Sequence, residues 1–135
     1  MKLKKLLVLI LAAWMPVCFA SVSQQNHNPL DIQYNSHVQW KGQLPLKQGE
    51  RFVRFSNDAA GFRAAYLQVE HDYNLGLNTV SKLVNRLTPA SENNTQKAIH
   101  DISNRMHVIS DQTLTKSQIG SFVLAMAAQE GFFQK

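Results

Sequence analysis

Apolar residues recur at helical spacing along the second half of the chain and show no regular period before it. Phe62, Tyr66, Val69 and Tyr73 stand at i, i+4, i+7 and i+11, a single stripe on one helix. Ser56, Asn57 and Asp58 supply N-cap candidates, and Gly76 supplies a stop. A second stripe follows at once in Val80, Leu83, Val84 and Leu87, with Asn78 as its cap candidate and Pro89 as its end. A third helix is expected to start near Asn94–Thr95 and to bury Ala98, Ile99, Ile102 and Met106. The fourth opens on Thr115-Lys116-Ser117-Gln118, the capping-box spacing in which hydroxyl and amide satisfy each other's orphan backbone N–H. Its inward face is Ile119, Phe122, Val123, Met126 and Ala127. Phe132 and Phe133 are expected to pack back on the core.

Residues 21 to about 50 read as irregular, because Asn, Gln, Gly and Pro recur without apolar periodicity. Asn28-Pro29 favours a turn, since the residue before proline is pushed out of the helical region. His37–Trp40 is a weak strand candidate, with a turn at Lys41-Gly42. Phe52-Val53-Arg54-Phe55, aromatic and β-branched, is the better one. The expectation is a single mostly α domain over residues 21–135. It has about four helices behind an irregular N-terminal segment, with a small β-hairpin pairing these two stretches.

The first twenty residues stand apart. Lys2, Lys4 and Lys5 precede the apolar run Leu6–Met15, and Cys18-Phe19-Ala20 leads into polar sequence. This is the layout of a secretory signal peptide over residues 1–20. The run falls short of the roughly 20 apolar residues a spanning helix needs, and Met15-Pro16-Val17 is a poor lead-in to a lipidated cysteine. The expected location is therefore periplasmic or secreted, with no membrane span once the leader is removed. The single cysteine leaves with it, which excludes a disulfide framework and sulfur-based zinc sites. Three of the fourteen basic residues leave as well, and eleven then face nine acids. With no Lys/Arg cluster beyond Arg51 and Arg54, the electrostatic footprint of nucleic-acid binding is missing.

Candidate chemistry is sparse. His27, His37, His71, His100 and His107 are scattered, so no metal or other cofactor is expected. No serine or cysteine sits in a nucleophile motif. Carboxylates are more informative, since glycosidic cleavage needs an acid kept protonated by apolar surroundings. Glu130 ends the apolar helix Phe122–Ala128 and meets the negative end of its dipole; a solvated charge on a fraying last turn is the plainer reading. Glu92, between two helices, is the second candidate, and it equally suits an interhelical turn. The Asn26–Ile32 stretch offers amides that could hold a sugar N-acetyl group or fix their own loop.

Taken in order, these pieces resemble a family of small phage-encoded virion or structural proteins that also occurs in bacterial genomes. Its pattern runs N-N-N-P-G-N-I, W-x-G, R-F-V-x-F, G-x-R-A, G-L-N-T-I, I-N-R-W-A-P-P-x-E-N-D-T and a closing H-E-N-G. This chain has Asn28-Pro29 with Ile32, Trp40-Lys41-Gly42, Arg51–Phe55, Gly61–Ala64, Gly76–Val80, Val84-Asn85-Arg86, Pro89, Glu92–Thr95 and Gln129-Glu130. The pattern looks lysozyme-like in a limited sense: a helix ending in Glu and an Asn-rich loop also occur in cell-wall glucosaminidases, in the opposite order. What the resemblance implies is a peptidoglycan-directed protein. Glu130 and Glu92 would be its catalytic acids, and Asn28, Asp31 and Trp40 its substrate contacts.

The departures weaken the catalytic half of that implication. Leu30-Asp31 replaces Gly-Asn, Leu87 a tryptophan, Ala98 a tyrosine, Gln129 the histidine before the glutamate and Gly131 the asparagine after it. The favoured reading is an exported non-catalytic module that binds cell-wall glycan or an envelope protein. A peptidoglycan glycosidase with Glu130 as general acid is one alternative. A virion or secretion-associated structural subunit is the other. The enzyme reading requires Glu130 and the Asn28–Ile32 loop to line one groove.

Overall fold

The computed structural model describes residues 20–88 and 94–135. The expected leader, apart from Ala20, and the Glu92 turn lie outside these residues. The described chain is mostly α-helical. It contains a short α1 (Val22–Gln25), then α2 (Asp58–Asn74), α3 (Val80–Leu87), α4 (Thr95–Met106) and, after a 3-10 turn over Lys116–Gln118, α5 (Ile119–Gln129). The four longer helices are those the apolar stripes predict.

Local chemistry sets the boundaries. The Asn57 side chain accepts the Ala60 N–H and starts α2. Its end is a Schellman closure: Gly76 takes φ +95°, its N–H donates to Tyr73 O, and the Leu77 N–H donates to Asp72 O. Thr79, rather than Asn78, caps α3 by accepting the Lys82 N–H. The Asn78 carbonyl is instead taken by the Leu114 N–H. The Thr115/Gln118 capping box forms as its spacing predicts, on the 3-10 turn that leads into α5.

α5 is the central element, packed against α4 and α2, while α3 packs on α4. Ile119, Phe122, Val123 and Met126 are buried together with Leu83, Ile102 and Val69. Each large apolar side chain buried in this way contributes on the order of 2 kcal/mol. Phe132 is buried and meets Phe62 edge-on at 5.1 Å, so the chain end does return to the core. Phe133 stays half exposed while stacking 6.2 Å from Phe62.

The N-terminal segment is more ordered than its composition suggests. Ser21 and Gln24 form a capping box on α1, and the same residues then serve α5. Ser23 Oγ donates to the Glu130 carbonyl, Ser21 Oγ to that of Gly131 and Gln24 Nε2 to that of Phe132. The last carbonyls of a helix have no partner within it, and here the start of the described chain supplies one.

The expected hairpin takes another form. Phe52–Phe55 is extended, but His37–Trp40 does not pair with it. Among the described residues the β-structure is two isolated antiparallel bridges, Gln33 with Phe52 and Gln43 with Phe55. The segment is thus held from two directions: Val53 N–H donates to Ile32 O, and Leu44 N–H to Arg54 O. Two short neighbours replace one long one because Val53 and Phe55 both need burial, against Ala64 and the partly buried Ile32 and Trp40.

Candidate ligand-binding groove

The Asn28–Ile32 loop is built around one amide. Asn28 is fully buried. Its Nδ2 donates to the carbonyls of Ile32 and Val53, at 3.0 and 2.9 Å, and its Oδ1 accepts the Ile32 N–H at 2.9 Å. All of its polar groups therefore serve the chain itself, the second of the two roles its sequence position allowed. Asp31 adopts a left-handed conformation, φ +49°, which Asp and Asn tolerate better than most residues. Leu30 points into the core.

This loop is seated on α2 through Gly61. A β-carbon there would overlap the His27 carbonyl and crowd the Pro29 ring. The Trp40 turn is seated beside it. Gln43 clamps that turn, its Oε1 taking the Trp40 N–H and its own N–H donating to Trp40 O. Gly42 follows at φ +79° with its carbonyl bonded to Ser56 N–H.

Between the seated loops, α2 and α3 lies a groove of about 220 Å³. Asp31 and Trp40 line it with Gln33, Asn35, Gln68, Asp72, Arg86 and Leu87. Two of the five sequence-predicted site residues, Asp31 and Trp40, are thus brought together, with Asn28 holding the loop that carries one of them. Glu130 is elsewhere. It is the C-cap of α5, and Gly131 after it takes φ +77° to close the helix. The last helix does fold back on the early polar segment, but through Ser21, Ser23 and Gln24, and Glu130 does not belong to the groove lining. Glu92 is outside the described residues.

The groove also contains residues that the sequence reading assigned no role. Asp72 is fully buried. Gln68 Nε2 reaches both of its oxygens, at 3.3 and 3.4 Å, and Arg86 Nε stands 3.9 Å from Oδ1. A signal for it existed. Ala65, Val69 and Asp72 are all buried at i, i+4 and i+7, so an acid occupies the core-facing stripe of α2, where acids are almost never found unless paired. Among the described residues no cluster of three His, Cys, Asp or Glu side chains is arranged to hold a metal ion. No described helix is long and apolar enough to cross a membrane.

Fold and groove together define a small, mostly helical protein with a polar, tryptophan-bearing hollow beside α2, the longest helix among the described residues. No protein-family model matches the chain. It is similar to Protein P5 of Pseudoalteromonas phage PM2, with 28% identity over 109 residues, 78% of this chain and 68% of that protein. The chain is phage-related in sequence.

Proposed function

We propose that the chain is an exported, phage-related binding module that takes a unit of cell-wall glycan in the Asp31–Trp40 groove without cleaving it. The observation that carries this reading is the grouping itself: the Trp40 indole, the amides of Gln33, Asn35 and Gln68 and the carboxylate of Asp31 line one hollow, and Glu130 is not among them. An indole offers a flat apolar face with a polar edge. Gln33, Gln68 and Asp31 offer the acceptors and donors that sugar hydroxyls and acetamido groups need. At about 220 Å³ the groove is smaller than the roughly 300–1,000 Å³ of sites that enclose a whole drug-sized ligand. That suits a single unit of a long chain. Export rests on the leader pattern of residues 1–20.

Sedimentation with insoluble peptidoglycan tests this. Purified protein should pellet with sacculi, Trp40→Ala should stay in the supernatant, and Glu130→Gln should pellet like the parent. Retention unchanged by Trp40→Ala would sink the groove reading. Release of muropeptides that Glu130→Gln abolishes would restore the glycosidase.

A second reading, a subunit of a phage or secretion assembly, has its own support. Similarity to a phage protein extends over 78% of the chain. Leu124, 54% exposed, lines one surface hollow with Tyr66 and another with Phe133. Apolar surface of this kind suits a protein partner. Light scattering that finds only monomer at high concentration counts against self-assembly.

A further inference from the structure

Asp72 is the feature of the groove that glycan binding alone leaves unexplained. A carboxylate removed from water is costly unless it is paired and hydrogen-bonded. Asp72 is fully buried, yet its bonds to Gln68 are 3.3 and 3.4 Å, longer than the usual N–H···O range. Its countercharge is Arg86, 3.9 Å away through Nε and 61% exposed. The acid cannot itself reach a ligand, because it has no accessible surface. The guanidinium can. Its Nε side is turned to Asp72, and among the described residues its terminal nitrogens have no acidic or carbonyl partner. Arg86 sits on the last turn of α3 and lines the same groove as Trp40.

We infer that the Asp72–Arg86 pair makes this groove selective for an amino sugar that carries a carboxylate. Arg86 is the contact: its two terminal N–H groups form the fork that matches a carboxylate with two parallel bonds. Asp72 is a positioning residue that holds the guanidinium against the groove wall from below. Lysine at position 86 would keep the charge and lose the fork. The inference rests on the glycan reading. In cell wall the carboxylate has two sources, the lactyl ether of the sugar itself or the peptide attached to it.

Calorimetry with three probes tests the inference and separates the sources. The probes are chitobiose, which is neutral; the N-acetylglucosaminyl–N-acetylmuramic acid disaccharide, which has a free lactyl carboxylate; and the same disaccharide bearing a tetrapeptide, whose carboxylates lie only on the peptide. The parent should bind at least one anionic probe about tenfold more tightly than chitobiose; which one identifies the source. Arg86→Gln should bring all three affinities together, removing the ratio of anionic to neutral affinity. Arg86→Lys should recover only part of the preference. Asp72→Asn should reduce the ratio of anionic to neutral affinity, which a purely structural role would not move. If that variant fails to fold, the exposed Arg86 variants still decide. Equal affinities in the parent, a preference that survives Arg86→Gln, or retention on sacculi with binding to none of the probes overturns the inference. Failure of the parent to pellet with sacculi overturns the glycan reading instead.

Discussion

The carbonyl oxygen of His27 occupies the space that a β-carbon of Gly61 would need. Through this approach the early loop lies directly on the first turns of α2, bringing Asp31 to the groove that Trp40 and Gln68 also line. The glycine of the Gly61–Ala64 motif is therefore a packing requirement. Its helix has ordinary backbone geometry there, and only the missing side chain matters.

Gly61→Ala should accordingly destabilise the protein by about 3 kcal/mol or prevent folding, because backbone must move to relieve the overlap. Gly120→Ala is the control. It lies on α5, where a β-carbon meets nothing within 4 Å, and the change should stabilise by about 0.5 kcal/mol through helix propensity. Urea unfolding of both variants checks the pair. Similar effects from the two would mean that the loop is not seated as described.

Asn28→Ala should cost on the order of 3 kcal/mol, since the Val53 carbonyl and the Ile32 N–H lose their side-chain partner in a buried site and the Ile32 carbonyl keeps only the Val53 N–H. Asn28→Asp should be no better, because it sets a carboxylate oxygen against the Ile32 and Val53 carbonyls. Thermal melts measure both. A variant with parental stability would show that the amide does not hold the loop.

Ser23→Ala should lower stability by about 1–2 kcal/mol. It removes the hydroxyl that satisfies the Glu130 carbonyl at the end of α5, and a buried orphan acceptor carries a desolvation penalty. Hydrogen exchange should also quicken at the last amides of α5 and not at those of α3. An unchanged exchange pattern would argue against α1 as the cap of α5.

Glu50 gives a pH signature. The Lys47 backbone N–H, then the Arg54 guanidinium, hold its carboxyl below the ordinary 4.5. Arg54 is itself tied to the Pro45 carbonyl. A carboxylate depressed on folding contributes its stabilisation fully above the unfolded value and loses it as pH falls through the lower folded value. The melting temperature should thus fall as pH drops below about 4.5, and Glu50→Gln should flatten that part of the profile. The effect should be small, because the group is solvent-screened. A parallel decline in both proteins would assign the acid sensitivity to other groups.

The helices were legible in the chain because their information is local. Apolar stripes at i, i+3, i+4 and i+7, a cap at Asn57, a glycine at 76 and a capping box at Thr115–Gln118 each act within a turn or two of backbone. The C-cap position of Glu130 belongs with them, since Gly131 closes the helix wherever that helix goes. The early half was less legible because its partners are distant. Asn28 is satisfied by Val53, Ser23 by Glu130 and the Gly61 site by His27, and no spacing rule connects residues that far apart. The groove shows the same division. Asp31 and Trp40 stand out as a polar residue in an amide-rich loop and an indole before a glycine turn. Asp72 was visible only as an acid out of place on an apolar stripe. Whether these side chains share one hollow, and whether Glu130 joins them, was decided by how the seated loops and the helix end are tied together in three dimensions. The sequence by itself determined which segments are helical and where they stop, through backbone hydrogen bonding within each turn. Only tertiary packing, which satisfies buried polar groups across the whole chain, chose which residues face the ligand.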